Sequence, residues 1–330
     1  MPSIDLGLAI VLLLILGAEF VNGWTDAPNA IATVISTRAL PPYAAVLMAS
    51  ALNLAGVFSG TAVAKTIGTG IVEPSAIDLT TVGGAMVGII FWSTLAARWG
   101  LPTSESHALV AGLAGGGLAA AGPGVLLWSG WQKILIGLAL SSFLGFFGGV
   151  LVVTCITWLC RGVRPGRVKT TFRYLQILSS AFMAFSHGSN DGQKFMGAFT
   201  LALVLGHALP VFQIPTWVIL ACAATMGVGT MIGGWKIIRT LGYRITKLQT
   251  YQGFAAETAA ATTIELASRF GIPLSTTHTI STSIMGVGAV RRFSAVRWGV
   301  TGEIISAWIL TFPICGAISW LTVTVARWLF

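Results

Sequence analysis

Residues 96–112 read AARWGLPTSESHALVAG, and residues 267–283 read ASRFGIPLSTTHTISTS. In one register they share an arginine (Arg98, Arg269), an aromatic ring, a glycine, an aliphatic residue, a proline (Pro102, Pro273) and a serine (Ser104, Ser275). A pair of small polar residues and a histidine (His107, His278) close the match. A second pair of motifs lies upstream in the same order: NGWTDAPNAIAT at 22–33 and HGSNDGQKFMGA at 187–198. Asp26 precedes His107 by 81 positions and Asp191 precedes His278 by 87. Two polar motifs recurring in order at nearly equal separation mark an internal duplication.

The surroundings of these motifs set the class. Of the 330 residues, 55% are hydrophobic and only 9% are charged, with a mean hydropathy of +0.84. A soluble domain carries about 25% charged residues. Apolar runs of the length that crosses a hydrocarbon core of about 30 Å recur from end to end. Backbone in lipid must satisfy its own hydrogen bonds, which favours helices. The expectation is an all-α polytopic membrane protein of about 10–12 transmembrane segments. Residues 1–160 would form the first repeat with a trailing helix, 161–173 a basic cytoplasmic linker, and 174–330 the second repeat with a C-terminal helix. No Lys or Arg precedes Arg38, so the first apolar segment is read as a retained membrane helix and not a cleaved leader.

The formal charge of +9 does not point to nucleic acid. Twelve of the nineteen Lys and Arg residues fall in three short stretches, 161–173, 236–247 and 291–297. These are too short to form a reading element, and they fit the positive-inside rule. With those stretches inside, both termini are expected outside and the two repeats run in opposite senses. Inverted repeats with interrupted helices characterise secondary transporters, whose sites lie near midplane at the repeat interface. The four cysteines (Cys155, Cys160, Cys222, Cys315) sit in apolar runs without metal-ligand spacing, and read as small apolar residues.

The motifs carry the chemistry. Gly23 with Pro28, and Gly188, Gly192 and Gly197, are expected to break their helices. A broken helix offers amide N–H groups to an anion at one end and carbonyls to a cation at the other. Asp26 and Asp191 add negative charge that suits Na⁺ or a proton, while Asn29, Asn190 and Gln193 can serve either ion. Pro102 and Pro273 are expected in the first turns of half-helices, with Ser104, Ser106, Ser275, Thr276 and Thr277 around an anion-binding N-terminus. His107 and His278 donate to an oxyanion or hold the backbone. A membrane carboxylate costs roughly 2.5–3.5 kcal/mol at a helix centre, so its default reading is functional. Glu257 is therefore a candidate for the ion path, as are Glu19 and Glu265; Lys194 is a further ion-path candidate that either touches the anion or pairs with a carboxylate. Polarity gathered in four discrete motifs disfavours a passive anion channel, which needs a continuous polar stripe. No Gly-x-Ser-x-Gly or His-Glu-x-x-His motif supports an enzyme.

HGSNDG and LPTSESH resemble the duplicated signature of the inorganic phosphate transporter (PiT) family, roughly Gly-x-Asn-Asp-x-x-Asn-Ala followed by Pro-x-Ser-x-Ser-His. The resemblance covers nearly the whole chain. It departs at Thr25, which precedes Asp26, and at Lys194, which stands where the first repeat has Asn29. What it implies is cation-coupled uptake of inorganic phosphate by alternating access, with sulfate or another oxyanion as the alternative cargo. Phosphate contacts would fall on Asn29, Ser104, Ser106, His107, Asn190, Gln193, Ser275, Thr276, Thr277 and His278. Cation contacts would fall on Asp26, Thr25, Asp191 and Asn190, with Asp26 and Asp191 holding Na⁺ in a sodium-coupled member. The coupling ion is Na⁺ or H⁺, and no other cofactor is expected. The implied setting is a prokaryotic plasma membrane, with the lipid bilayer as partner and a homodimer compatible with the apolar outer faces.

Overall fold

In the computed structural model, which describes residues 5–329, every regular element is helical. The first half supplies α1 (Leu6–Ser36), α2 (Pro42–Val57), α3 (Ala62–Gly70), α4 (Leu79–Trp99), α5 (Glu105–Ala121) and α6 (Trp128–Leu159). In the second half α7 (Pro165–His187) passes through a π-helical segment, Gly188–Gly192, into α8 (Gln193–Leu205). Then follow α9 (Thr216–Ile232), α10 (Trp235–Arg239), α11 (Thr250–Arg269), α12 (Thr276–Arg291) and α13 (Trp298–Leu329).

The halves correspond element by element. α2 and α3 meet at a 70° bend, and α9 meets α10 with its π-helical extension to Arg244 at 62°. α4 ends at Gly100 with φ +74°, and Gly271 just beyond α11 has φ +66°. A left-handed residue closes a helix without strain only when it lacks a Cβ. Packing is exchanged between the halves: α5 lies on α13 and α12 on α6, while α1 lies on α9 and α7 on α2.

Four helices, α1, α4, α6 and α13, are individually long and apolar enough to cross a membrane, and the two bent pairs bring the number to six. The expected ten to twelve crossings exceed this because α5 and α12 have only 17 and 16 residues, and because α7 and α11, with 23 and 20, carry charged and polar side chains through their length. The two short helices are buried through most of their length, so lipid-like hydropathy is not demanded of them. α6 and α13 form the outer wall; only 28% and 33% of their apolar windows are buried, against 61% for α4.

The breaks expected at the aspartate motifs are not there. α1 runs unbroken past Gly23 and Pro28, and Gly188–Gly192 widens to a π-helix without ending the run. A π-bulge of this kind is common at functional sites. The glycines serve close approach instead. A Cβ on Gly23 would lie 2.4 Å from the Met226 carbonyl oxygen, and one on Gly188 2.1 Å from that of Asn53. The basic stretch 161–173 is also not all linker, since α7 begins at Pro165.

α1 gives Leu8, Val11, Leu12, Ile15 and Ala18 to one apolar core, and Ala30, Ile31, Ala32, Val34 and Ile35 to the other. The polar residues between Glu19 and Asn29 therefore lie at the junction. The second half repeats this: Met183 and Ala184 belong to one core and Phe195 to the other. The two aspartate motifs are thereby held at the same level of the fold.

Candidate functional site

Asp26 on α1 and Asp191 on the π-helical segment face each other across His187. The His187 Nε2 lies 3.9 Å from Asp26 Oδ2 and 3.5 Å from Asp191 Oδ2. One ligand atom from each of the three falls within 4.8 Å of the others, a spacing that can hold a cation. His187 Nδ1 is 3.1 Å from Asn53 Oδ1, while the Asn53 amide nitrogen donates to Thr230. An amide oxygen only accepts, so Nδ1 carries a hydrogen, and Nε2 is left facing the two carboxylates, where it takes a proton or, in a neutral ring, offers its lone pair to a cation. Asp26, His187 and Asp191 are at most 2% exposed.

The start of α12 brings a hydroxyl to each aspartate, one in its own half and one in the other, while Ser106 at the start of α5 reaches across to Lys194. Thr277 donates to Asp26 Oδ1 at 3.1 Å and Thr276 donates to Asp191 Oδ2 at 3.1 Å. Asn29 Nδ2 donates to Thr277 Oγ1 at 2.9 Å and lies 3.4 Å from Thr276 Oγ1. Lys194 Nζ donates to Asp191 Oδ1 at 2.6 Å, to the Leu274 carbonyl at 2.8 Å and to Ser106 Oγ. Among the buried acceptors of this cluster, Asp26 Oδ2, Asn29 Oδ1 and His187 Nε2 have no partner. Unpartnered buried acceptors are expensive. A bound cation or a protonated ligand oxygen relieves that cost.

Of the residues expected at the site, Asp26, Asn29, Ser106, Asp191, Lys194, Thr276 and Thr277 converge, whereas the Asn190 side chain donates to Ser268 on α11 at 2.8 Å. Others do not converge. Pro102 and Pro273 precede the helices; Ser104 and Ser275 are their N-caps, accepting from the backbone N–H of His107 and His278 at 3.4 and 3.2 Å. Gln193 accepts from Val63 N at 2.9 Å and donates to the Ser189 carbonyl, so it caps the start of α3 at the bend. Thr25 turns to Glu105, 2.9 Å away. His107 and His278 turn away from the aspartates and pack edge to face, with centroids 4.4 Å apart, on Phe312 and Trp308. They line a separate cavity of about 590 Å³ between α6 and α13. Glu257, buried on α11, accepts from Thr33, one turn along α1 from Asn29, and from Ser179 and Gln176. Thr37 extends this chain to a cavity of about 790 Å³ edged by Arg161 and Lys169.

Sequence reasoning passed over Glu105 and His187. Glu105 accepts from Ser93 at 2.7 Å as well as facing Thr25. Its signal was present in PTSESH, where a carboxylate stands in register with Thr276. His187 opens the quoted motif, but its counterpart is Asn22 and symmetry gave no hint of it.

The model of the phosphate transporter family matches residues 22–319, which takes in both halves and all four motifs. The chain belongs to that family. It is 44% identical over 303 residues to a probable low-affinity inorganic phosphate transporter of Rhizobium meliloti (strain 1021), covering 91% of each chain. It is 37% identical over 332 residues to a probable low-affinity inorganic phosphate transporter of Bacillus subtilis (strain 168), covering 99% of this chain and all of that one. A solved structure described as the sodium-dependent phosphate transporter superposes with a TM-score of 0.91 at 25% identity, over 99% of this chain and 100% of the other. The relatives are transporters and not enzymes, so the buried Asp, His and Ser side chains belong to a multi-pass transport protein of the phosphate transporter family.

Proposed function

We propose that this chain is a secondary active symporter that takes up inorganic phosphate together with a cation. One observation carries the reading: each half contributes a buried aspartate to a shared cluster, and the start of α12 gives a hydroxyl to both. The positive ends of two helix dipoles, with Ser106, Thr276 and Thr277 around them, suit a tetrahedral oxyanion. Asp26 and Asn29, with unpartnered oxygens, suit the cation. Sulfate is the competing cargo on charge and shape.

The cluster is closed to both sides in this conformation, so loading and release require one half to move against the other, in the manner of inverted repeats. With the basic stretches inside, both termini lie outside, and the chain from Asn29 through Thr33, Glu257 and Gln176 to Thr37 leads toward the inner face. A second reading concerns the coupling ion. The relative described as sodium-dependent favours Na⁺, whereas the lone pair of His187 beside two carboxylates favours a proton. Uptake of ³²P-phosphate into proteoliposomes under an imposed Na⁺ or pH gradient decides between them. Accumulation above equilibrium under one gradient supports symport with that ion. Equilibration without accumulation under either refutes it, and full displacement by sulfate reassigns the cargo.

A further inference from the structure

The two halves of the cluster are built alike but filled differently. Asn29 lies three residues after Asp26, and Lys194 lies three residues after Asp191. Each reaches the matching hydroxyl of the other half's helix start, Thr277 for Asn29 and Ser106 for Lys194. In the first half the amide leaves Asn29 Oδ1 and Asp26 Oδ2 without partners. In the second half the Lys194 ammonium occupies the corresponding position, fully buried. It has three oxygen partners for its three N–H donors: Asp191 Oδ1, Ser106 Oγ and the Leu274 carbonyl. An ammonium has no further donor to offer once three are used.

From this we infer that Lys194 is a tethered cation, permanently filling the second of two equivalent cation sites, so that the aspartate pair binds one mobile cation per cycle. Carboxylate, hydroxyl and carbonyl oxygens are the ligands a small hard cation takes, and here they surround Nζ. The ammonium keeps Asp191 neutralised through every conformation, leaving only the Asp26 half to exchange charge with solvent. Lys194 is therefore a residue that sets stoichiometry, and it makes no contact with phosphate. The inference rests on the symport reading for its transport consequences, though not for the binding of a cation.

Lys194→Asn gives the second half the Asp-x-x-Asn pattern of the first and removes the tethered charge. Phosphate uptake is measured against the concentration of whichever cation drives the wild-type protein. Because a Hill coefficient can rise to the number of coupled sites, the expected change is from about 1 in wild type to about 2 in Lys194→Asn, with activity recovered only at raised cation. Lys194→Met removes the charge without supplying an oxygen, and high cation is expected not to rescue it. If both variants are folded by size-exclusion profile and equally inactive at all cation concentrations, Lys194 is a structural ion-pair partner and the inference is wrong. A cation order of about 2 in the wild-type protein overturns it as well, whatever the variants do. If wild type accumulates no phosphate under either gradient, the symport reading fails on its own. Equilibrium ²²Na⁺ binding to purified protein then decides for Lys194: one more ion per chain in Lys194→Asn supports the tethered cation, and equal binding refutes it.

Discussion

Replacing Gly188 by alanine separates two roles for the motif glycines, because they predict changes of opposite sign. If Gly188 loosened the helix, alanine would stabilise it, by up to about 1 kcal/mol on helix propensity. If it permits close approach, alanine must push α7 from α2. The added Cβ would sit 2.1 Å from the Asn53 carbonyl oxygen, and ordinary contact begins at 3.4 Å, so the backbones must part by about 1.3 Å. Asn53 offers backbone at that point, not a side chain that can swing aside. Overpacking of this kind costs about 1–3 kcal/mol. The displacement reaches the site directly, since Asp191 lies one turn on and its 3.1 Å bond to Thr276 would stretch past any useful length. Misplacement by about 1 Å can cost about a hundredfold in rate. Thermal unfolding in detergent and ³²P-phosphate uptake provide the assay, with Gly302→Ala as control because a Cβ there meets nothing within 4 Å. A Gly188→Ala protein that melts at or above the wild-type temperature and transports normally would refute the close-approach argument.

Three further outcomes are expected. Asp26→Asn should leave a folded protein that no longer accumulates phosphate under a cation gradient, since it removes a buried charge with an unpartnered oxygen; uphill uptake at the wild-type level would show the cation binds elsewhere. Ser104→Ala should cost about 1 kcal/mol of stability as a lost N-cap with little change in the KM for phosphate, whereas Thr277→Ala should raise KM; the two KM values measured together test the division between capping and binding hydroxyls. Asp78, at the start of α4, is partly buried, which opposes ionisation, but Arg327 at 2.6 Å and the Thr81 N–H and O–H hold its carboxyl below the usual range. A depressed carboxylate contributes stability above its unfolded value of about 3.9 and loses it as pH falls further. Both side chains still reach solvent, so the contribution is at most about 1 kcal/mol, and Asp78→Asn should flatten that acid limb of the unfolding curve without affecting neutral uptake.

The sequence by itself determined the class, the duplication and the identity of the motifs. A 9% charged chain has nowhere to stand but a membrane, and residues as unlike as Arg, Gly, Pro, Ser and His do not recur in register by chance. Composition and spacing are properties of the chain alone, so they are legible before folding. What each motif residue does was decided elsewhere. Whether a glycine breaks a helix or admits a neighbour depends on the carbonyl opposite, and for Gly23 that carbonyl belongs to Met226. Ser104 and Ser106 are two residues apart, yet one caps its own helix and the other meets Lys194, 88 positions away. His107 and His278 match in sequence and read alike as oxyanion donors or backbone holders, yet α13 draws them onto Phe312 and Trp308. Thr277 bonds Asp26 across 251 positions. Partners so far apart in the chain leave no periodic signal, because a hydrogen bond needs its heavy atoms within about 3.2 Å and only tertiary packing brings these atoms that close.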